Sequence, residues 1–592
     1  MERPSRDYTL SACAAPLIID LMKRLLLPAL AAASLLIALL PASATGQQMP
    51  SALRAVLLVI GLVLLAGVLL HRAGSGIRPH FAALLAAGAV VLIAYLFMAT
   101  DGTWSRWPVS TDYYDRLARA LVSGRLYVKE APHPALLALA NPYDPDARKG
   151  IPGLVPEATD TIWDMAMYRG RVYLYWGPVP SILLAPLKAV LPVVVGDQTL
   201  TFALLLGAFA CSSLILLRLW RHFFSDTPSW TLVGGMLLLA FANPAPWLLL
   251  SPRIYEAAIA AGQFFLMGGL YLVISAFDRP SVSNWRLALA ALAWVCAAGS
   301  RATLAVCVLY LAIAVLLWLS WSQSGFKRPR AAWPTVMWFT VPLLAGALLL
   351  AWYNYARFGS VFEFGFRYEL TMLDQNRYRA VLFSPIYLRP NAYLYMLNPP
   401  DVSSQFPFIR PVWNGDYVRS FNEAVHGIYN AERIIGVMYA APFLLFGLIV
   451  PAVLLARLAG RSGSALNATL ASGEPPEHLL DWLLVTLTGL AVLELLLIFL
   501  LFYSTMRYFM DAAPTLLILS ILGFWLGNRM TASHPGWRIA YTFVGVVLMG
   551  YTILMGLLIG FSSDIPRLKA TNPALLTHLR LFFTTLARRL GW

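Results

Sequence analysis

VSTDYYDRLARALVSGRLYV runs from Val109 to Val128. It opens polar and turns amphipathic: Tyr113, Leu117, Leu121 and Val122 share one helical face, with Arg116 and Arg119 away from it. Ser110 or Thr111 can cap its start and Gly124 can end it. It begins about ten residues beyond an apolar run that closes near Met98. A short helix with an apolar stripe and a charged side, placed just past a run of spanning length, reads as a helix lying along a membrane surface.

The rest of the chain agrees with that solvent. Of 592 residues, 59% are hydrophobic and 12% charged, and the mean hydropathy is +0.68. A soluble protein carries roughly 25% charged residues. Helices are then the plausible spanning elements, because every backbone group must be satisfied within the lipid. The formal charge of +15 comes mostly from scattered arginines, with no nucleic-acid module. Four cysteines without a CxxC pair, and eight dispersed histidines without HExxH, argue against a disulfide framework or a zinc site.

Apolar runs place spans at roughly 24–41, 54–70, 80–98, 198–217, 231–250, 256–276, 286–300, 303–321, 335–353, 434–457, 481–503, 511–527 and 538–560. The fold class is therefore an all-α polytopic membrane protein with about thirteen transmembrane helices. The segment from Met22 fits a signal peptide and also a first transmembrane helix, the second being preferred. Arginines crowd alternate short loops: Arg72 and Arg78, Arg218 and Arg221, Arg328 and Arg330, Arg457 and Arg461, Arg529 and Arg538. Placing these in the cytoplasm puts two long loops, 99–197 and 354–433, outside. The chain divides into an N-terminal segment 1–53, a transmembrane domain 54–560 containing those loops, and a basic amphipathic tail 561–592. The tail also falls outside, where its basic character fits the charge rule poorly. A second apolar stretch at 180–196 contains interior prolines and Lys188, and is read as interfacial.

Acidic residues are scarce, 29 in all, so those beside outer helix ends are informative. Asp112, Asp164, Glu256, Glu363 and Asp511 each lie close in sequence to an arginine: Arg116, Arg169, Arg253, Arg357 or Arg367, and Arg507. Each pair alone reads as a loop ion pair or interfacial anchor. As a set on one side they point to a shared cavity, since charges at a membrane boundary are costly unless they face one another or water. Arg301, Arg507 and Arg357 suit an anion at that boundary, because a guanidinium fork binds phosphate oxygens in pairs and stays charged. Arg507 and Asp511, four residues apart, are also placed to pair with each other. Tyr113, Tyr168 and Trp176 offer faces on which a sugar ring stacks, and Glu363 and Asp511 offer it hydrogen-bond acceptors.

The span, long first outer loop with an aspartate near its start, and following surface helix resemble the GT-C superfamily of polytopic glycosyltransferases. That group includes the oligosaccharyltransferase catalytic subunit, protein O-mannosyltransferases and bacterial aminoarabinose transferases. WDMAMYRGRVYLYWGPVPSILLAPL, NYARFGSVFEFGFRYEL and MRYFMDAAP resemble uncharacterised bacterial members, and the likeness runs loosely from about residue 80 to 530. The resemblance implies a bacterial inner-membrane enzyme whose site faces the periplasm or outside. It would move a sugar from a polyprenyl-phosphate donor to a cell-envelope glycan, lipid or protein acceptor by inverting displacement. Asp112 matches the first-loop acid and would be the general base; Glu256 would orient the acceptor or help hold a divalent metal, whose oxygen ligands Asp112, Asp164 and Glu256 could supply. Against a metal, TDYYD spaces its acids by three and forms no DxD pair. A transporter or flippase of a lipid-linked or small substrate is the alternative, and a non-catalytic assembly protein the second. Charges gathered at one face, largely uncharged spans and no evident repeat favour the enzyme.

Overall fold

The protein is described by a computed structural model covering residues 78–149, 162–191, 193–242, 244–278, 281–322, 329–424, 428–459 and 478–589. The N-terminal segment 1–53 and the expected span at 54–70 lie outside the described residues. The chain divides into two compact units, Met1–Pro108 and Val109–Trp592. In the first, α1 (Arg78–Ala99) matches the expected third span. It closes on Thr100, whose hydroxyl donates to the Leu96 carbonyl at 2.7 Å.

The principal helices of the second unit are α2 (Tyr113–Val122), α3 (Val179–Val190), α4 (Asp197–Phe223), α5 (Ser229–Phe241), α6 (Ile254–Phe277), α7 (Asn284–Ser300), α8 (Leu304–Ser322), α9 (Pro329–Phe358), α10 (Ile449–Leu458), α11 (Leu479–Phe499), α12 (Ala513–Met530), α13 (Pro535–Phe561), α14 (Ile565–Thr571) and α15 (Pro573–Arg589). Among the described residues of the whole chain, seven helices are long and apolar enough to cross a membrane: Ala82–Ala99 of α1, α4, α6, Trp333–Phe358 of α9, α11, α12 and α13. The protein is thus an all-α polytopic membrane protein. Among the described residues, strands are confined to three two-stranded pairings.

Two expected spans are not single helices. The run 231–250 stops at Phe241 and resumes as Ala245–Leu250, with Pro244 at its N-cap and Pro246 inside the first turn. The run 434–457 is divided into Val437–Ala440, a 3-10 turn at Pro442–Leu448, and α10. A proline ring supplies no N–H and clashes with the preceding turn, so apolar content alone overstates continuity. The 3-10 turn lies so close to α12 that a Cβ on Gly523 would stand 2.0 Å from the Phe446 carbonyl oxygen.

α2 is capped in a way its own sequence does not supply. Asp197, at the start of α4, accepts from the Tyr113 and Tyr114 N–H groups at 3.2 and 3.4 Å and from the Thr111 hydroxyl at 2.5 Å. Gly124, at φ 70°, follows the last turn as the sequence requires. α3 is 12 residues long with Pro186 inside, too short to span. It packs on α2 through the buried Lys188–Asp115 ion pair and a 2.9 Å hydrogen bond from Ser181 to the Tyr114 carbonyl.

The tail belongs with the second outer loop. Phe583 of α15 stacks on Phe406 with ring centres 5.1 Å apart. Arg567 donates to the Leu250 carbonyl at 3.0 Å, beside the start of α6. At the opposite helix ends basic residues meet acids: Arg218 and His222 share Asp278, Arg457 holds Asp481 and Arg529 holds Asp226.

The returning end of the first outer loop is pinned against α7. A Cβ on Gly177 would lie 2.0 Å from the Gly299 carbonyl oxygen, two residues before Arg301. Two backbones in contact have no flexible group to yield. Gly177→Ala is therefore expected to lose about 1–3 kcal/mol of stability by forcing the loop from the helix end, measured as a lower midpoint of thermal unfolding.

Candidate functional site

A cavity of about 940 Å³ opens where the two outer loops meet the ends of α6, α7 and α9. Six arginines line it: Arg253, Arg301, Arg357, Arg367, Arg419 and Arg507. Four carboxylates face them: Asp164, Glu363, Glu369 and Glu432. Aromatic side chains, among them Trp176, Tyr255, Tyr353 and Tyr508, form much of the remaining wall.

The arginines are not equivalent. Arg301 follows the C-terminus of α7 and grips Asp511, its Nε and a terminal nitrogen each 2.7 Å from Oδ2. Arg507 makes a bidentate pair with Glu432, at 3.0 and 2.9 Å, and lies over the Tyr255 ring. Glu432 also accepts from Thr505 at 2.7 Å and Tyr503 at 2.9 Å. Against the upward push of burial, Arg507 and those hydrogen bonds hold its carboxyl below the usual range. The expected Arg507–Asp511 pair does not form. Those residues sit in the 3-10 turn Met506–Asp511, where at three residues per turn positions four apart point roughly 120° away from each other.

Arg357, in the last turn of α9, is 4% exposed. It donates to the Leu174 carbonyl at 2.9 Å and the Asn354 side chain at 2.8 Å, and its guanidinium covers Tyr353. Among the described residues, no carboxylate lies within 4.0 Å of its charged group. Its Nε is buried without a partner, as are the Tyr353 hydroxyl and Trp176 Nε1, and all three residues line the cavity. A buried cation without an anion beside it is costly. These three donors thus belong to residues of the cavity wall and have no partner among the described residues.

Asp164, at φ 54°, is 6% exposed and accepts from the Tyr255 hydroxyl. Its N–H donates to the Leu370 carbonyl at 3.0 Å and so joins the two loops. Burial pushes its carboxyl up to about 6, against a hydrogen bond from Thr371 and the charges of Arg507 and Arg148. Burial, and then the charge on Asp164, push Glu369 well above the usual carboxylate range, although Gln375 donates to it at 3.2 Å. Two carboxyl groups whose environments separate their proton affinities can divide acid and base roles.

Of the residues singled out from the sequence, Asp164, Arg301, Arg357, Arg507, Trp176 and Glu363 line the cavity. Asp112 does not: at the N-cap of α2 its carboxylate is 2.7 Å from Arg116 and 3.8 Å from Arg119. Glu256 lies just behind the wall, closing a capping box with the Arg253 N–H at 3.0 Å. Asp511 stands behind Arg301. Tyr113 donates to the Trp163 carbonyl at 2.9 Å, and Tyr168 packs on Tyr368 and Phe358, both away from the lining. Glu363 is tied to the Gly365 N–H at 2.9 Å and faces Arg367 at 3.9 Å rather than Arg357. Among the described residues, Asp112, Asp164 and Glu256 do not gather into a group able to hold a metal ion.

Glu369, Glu432, Tyr255 and Tyr508 are site residues that sequence reasoning missed. Glu432 carried a usable signal, standing just before the apolar run at 434–457.

Asp511→Ala is expected to cost roughly 3 kcal/mol of stability, because it leaves the buried Arg301 charge unpaired. Thermal unfolding in detergent or lipid measures it, and Asp511→Ala combined with Arg301→Met should recover part of the loss.

The fold and this cavity define a polytopic membrane protein with an arginine-lined, aromatic-walled cavity at one end of its helices. No protein-family model matches the chain, and no curated protein matches it. Among solved structures, the chain is similar to the oligosaccharyltransferase of Archaeoglobus fulgidus in its apo form, with 11% identity and a TM-score of 0.43. It is also similar to the archaeal oligosaccharyltransferase of that organism in complex with an inhibitory peptide and a dolichol-phosphate, with 11% identity and a TM-score of 0.39. In both, 81% of this chain is covered, and the chain spans 56% of the length of the matched protein.

Proposed function

We propose that the protein is a membrane glycosyltransferase of the GT-C kind, transferring a sugar from a polyprenyl-phosphate donor to a cell-envelope glycan, lipid or protein acceptor. On this reading it works in a bacterial inner membrane with the cavity open to the outer side. The observation that carries the reading is Arg357: a buried guanidinium that has no carboxylate within 4.0 Å among the described residues and that lines a cavity of about 940 Å³ with Tyr353 and Trp176, whose hydroxyl and indole donors are unpartnered. The donor phosphate sits on Arg357, with Arg301 and Arg507 held ready by Asp511 and Glu432. The sugar stacks on aromatic wall residues such as Trp176 and Tyr255.

The base role passes from Asp112 to Asp164. An acceptor oxygen attacks the anomeric carbon and forms the new glycosidic bond. The bond from that carbon to the phosphate oxygen breaks, its electron pair leaves with the phosphate, and the acceptor proton goes to Asp164. A carboxyl near 6 is ionised at neutral pH yet more basic than an ordinary aspartate. Burial and the charge of Asp164 push the Glu369 carboxyl well above the usual carboxylate range, so of the two groups Asp164 is the better placed to be the ionised one.

The test is turnover in proteoliposomes with a panel of polyprenyl-phosphate sugars and acceptor extracts, alongside sugar-lipid flux without acceptor. A new glycosidic product supports the proposal. Robust flux with no product from any donor would overturn it in favour of a transporter.

A further inference from the structure

Behind the large cavity lies a second, much smaller one. Glu494 is in the outer part of α11, within a helix long enough to span, and is 1% exposed. Its Oε1 accepts from the Thr515 hydroxyl of α12 at 3.3 Å, while its Oε2 is buried without a partner. Asp511 gives Oδ2 to Arg301 and leaves Oδ1 buried without a partner. Both carboxylates line a cleft of about 20 Å³. The other charged or titratable groups around it are Arg301, Cys307 from α8, and Tyr508 from the 3-10 turn. Arg301 and Tyr508 line the large cavity as well.

Two carboxylates and one guanidinium carry a net negative charge in a layer where uncompensated charge is costly. A hard metal cation asks for several oxygen ligands, but the cleft presents two idle carboxylate oxygens and room for about one water. A proton needs no more than that. We propose that Glu494 and Asp511 share one proton across this cleft, and that Arg301 couples its retention to the anion in the large cavity. A phosphate against Arg301 draws the guanidinium's charge from Asp511, and the pair then holds its proton more tightly. By linkage, the anion binds more weakly once the pair has lost that proton. This coupling rests on the donor reading above; the proton site does not.

The test uses the full chain in lipid. Infrared difference spectra of wild type against Glu494→Gln at neutral pH should contain a protonated-carboxyl stretch, which Glu494→Asp shifts; any proton on Glu369 is common to the two proteins and cancels. Binding of a polyprenyl phosphodiester sugar, whose own charge is constant over the range, should weaken about tenfold from neutral to alkaline pH, above the titration of Asp164 near 6, in wild type and stay flat there in Glu494→Gln. A difference spectrum without that stretch in a folded Glu494→Gln protein, or the same pH dependence there as in wild type, overturns the proposal. If wild type binds no phosphodiester at any pH, the donor reading fails and the infrared band alone decides the proton site. Should Glu494→Gln not fold, the Glu494→Asp shift decides, and an unmoved band counts against it.

Discussion

Arg357→Met should lower kcat/KM for a polyprenyl-phosphate sugar by about 10²–10³-fold, the loss expected when one preorganised donor to a developing anion is removed. Methionine keeps an unbranched stem of similar length, so the packing under Tyr353 and Phe358 is largely retained. The midpoint of thermal unfolding should hold or rise, because the substitution takes away a buried charge that has no carboxylate within 4.0 Å among the described residues. Arg301 and Arg507 differ here: each has a close anionic partner, so removing either mixes lost binding with lost stability. Lower turnover with undiminished stability is the signature of a residue that folding tolerates and a ligand requires. A stability loss without a change in kcat/KM would make Arg357 a structural residue.

Asp164→Asn should reduce turnover about 10²–10⁴-fold, the usual range for losing a positioned proton acceptor. Wild-type kcat/KM should climb as pH rises through about 6, where the base form appears, and the residual activity of the variant should lack that limb. Stability moves the opposite way. The folded carboxyl binds its proton more tightly than the unfolded one, so its stabilising contribution is complete below the unfolded value and is lost as pH rises through about 6. The asparagine variant escapes that loss and should be the more thermostable at neutral pH. Asp112→Asn is the control. Its carboxylate is engaged by Arg116 and Arg119 away from the cavity, and turnover should remain near wild type.

Much of the fold is legible because lipid imposes one rule, that a spanning segment must be apolar and helical. α4, α6, α11, α12 and α13 fall where the runs predict them. The failures sit at Pro244 and Pro442, where an apolar run satisfies hydropathy but not helix geometry. The site is legible in kind more than in pairing. Scarce acids and arginines at helix ends led to Asp164, Arg301, Arg357 and Arg507. Their partners did not follow, because Arg301 meets Asp511 and Arg507 meets Glu432 only after loops distant in sequence fold together. Asp112 lies away from the cavity for a related reason. Its place in the first outer loop matched the superfamily pattern, but helix α2 has its own arginines one turn away to occupy it.

On the proposed reading an anionic lipid head rests on Arg357, with Arg301 and Arg507 nearby. A polyprenyl phosphate carrying a photoreactive group next to its phosphorus tests this most directly, with labelled peptides mapped by mass spectrometry. Labelling should fall on the segments around Tyr353–Arg357, Ser300–Thr303 and Tyr503–Tyr508 and be competed by unmodified donor. Competed labelling on the α2 segment around Asp112, with those three segments unlabelled, would contradict it.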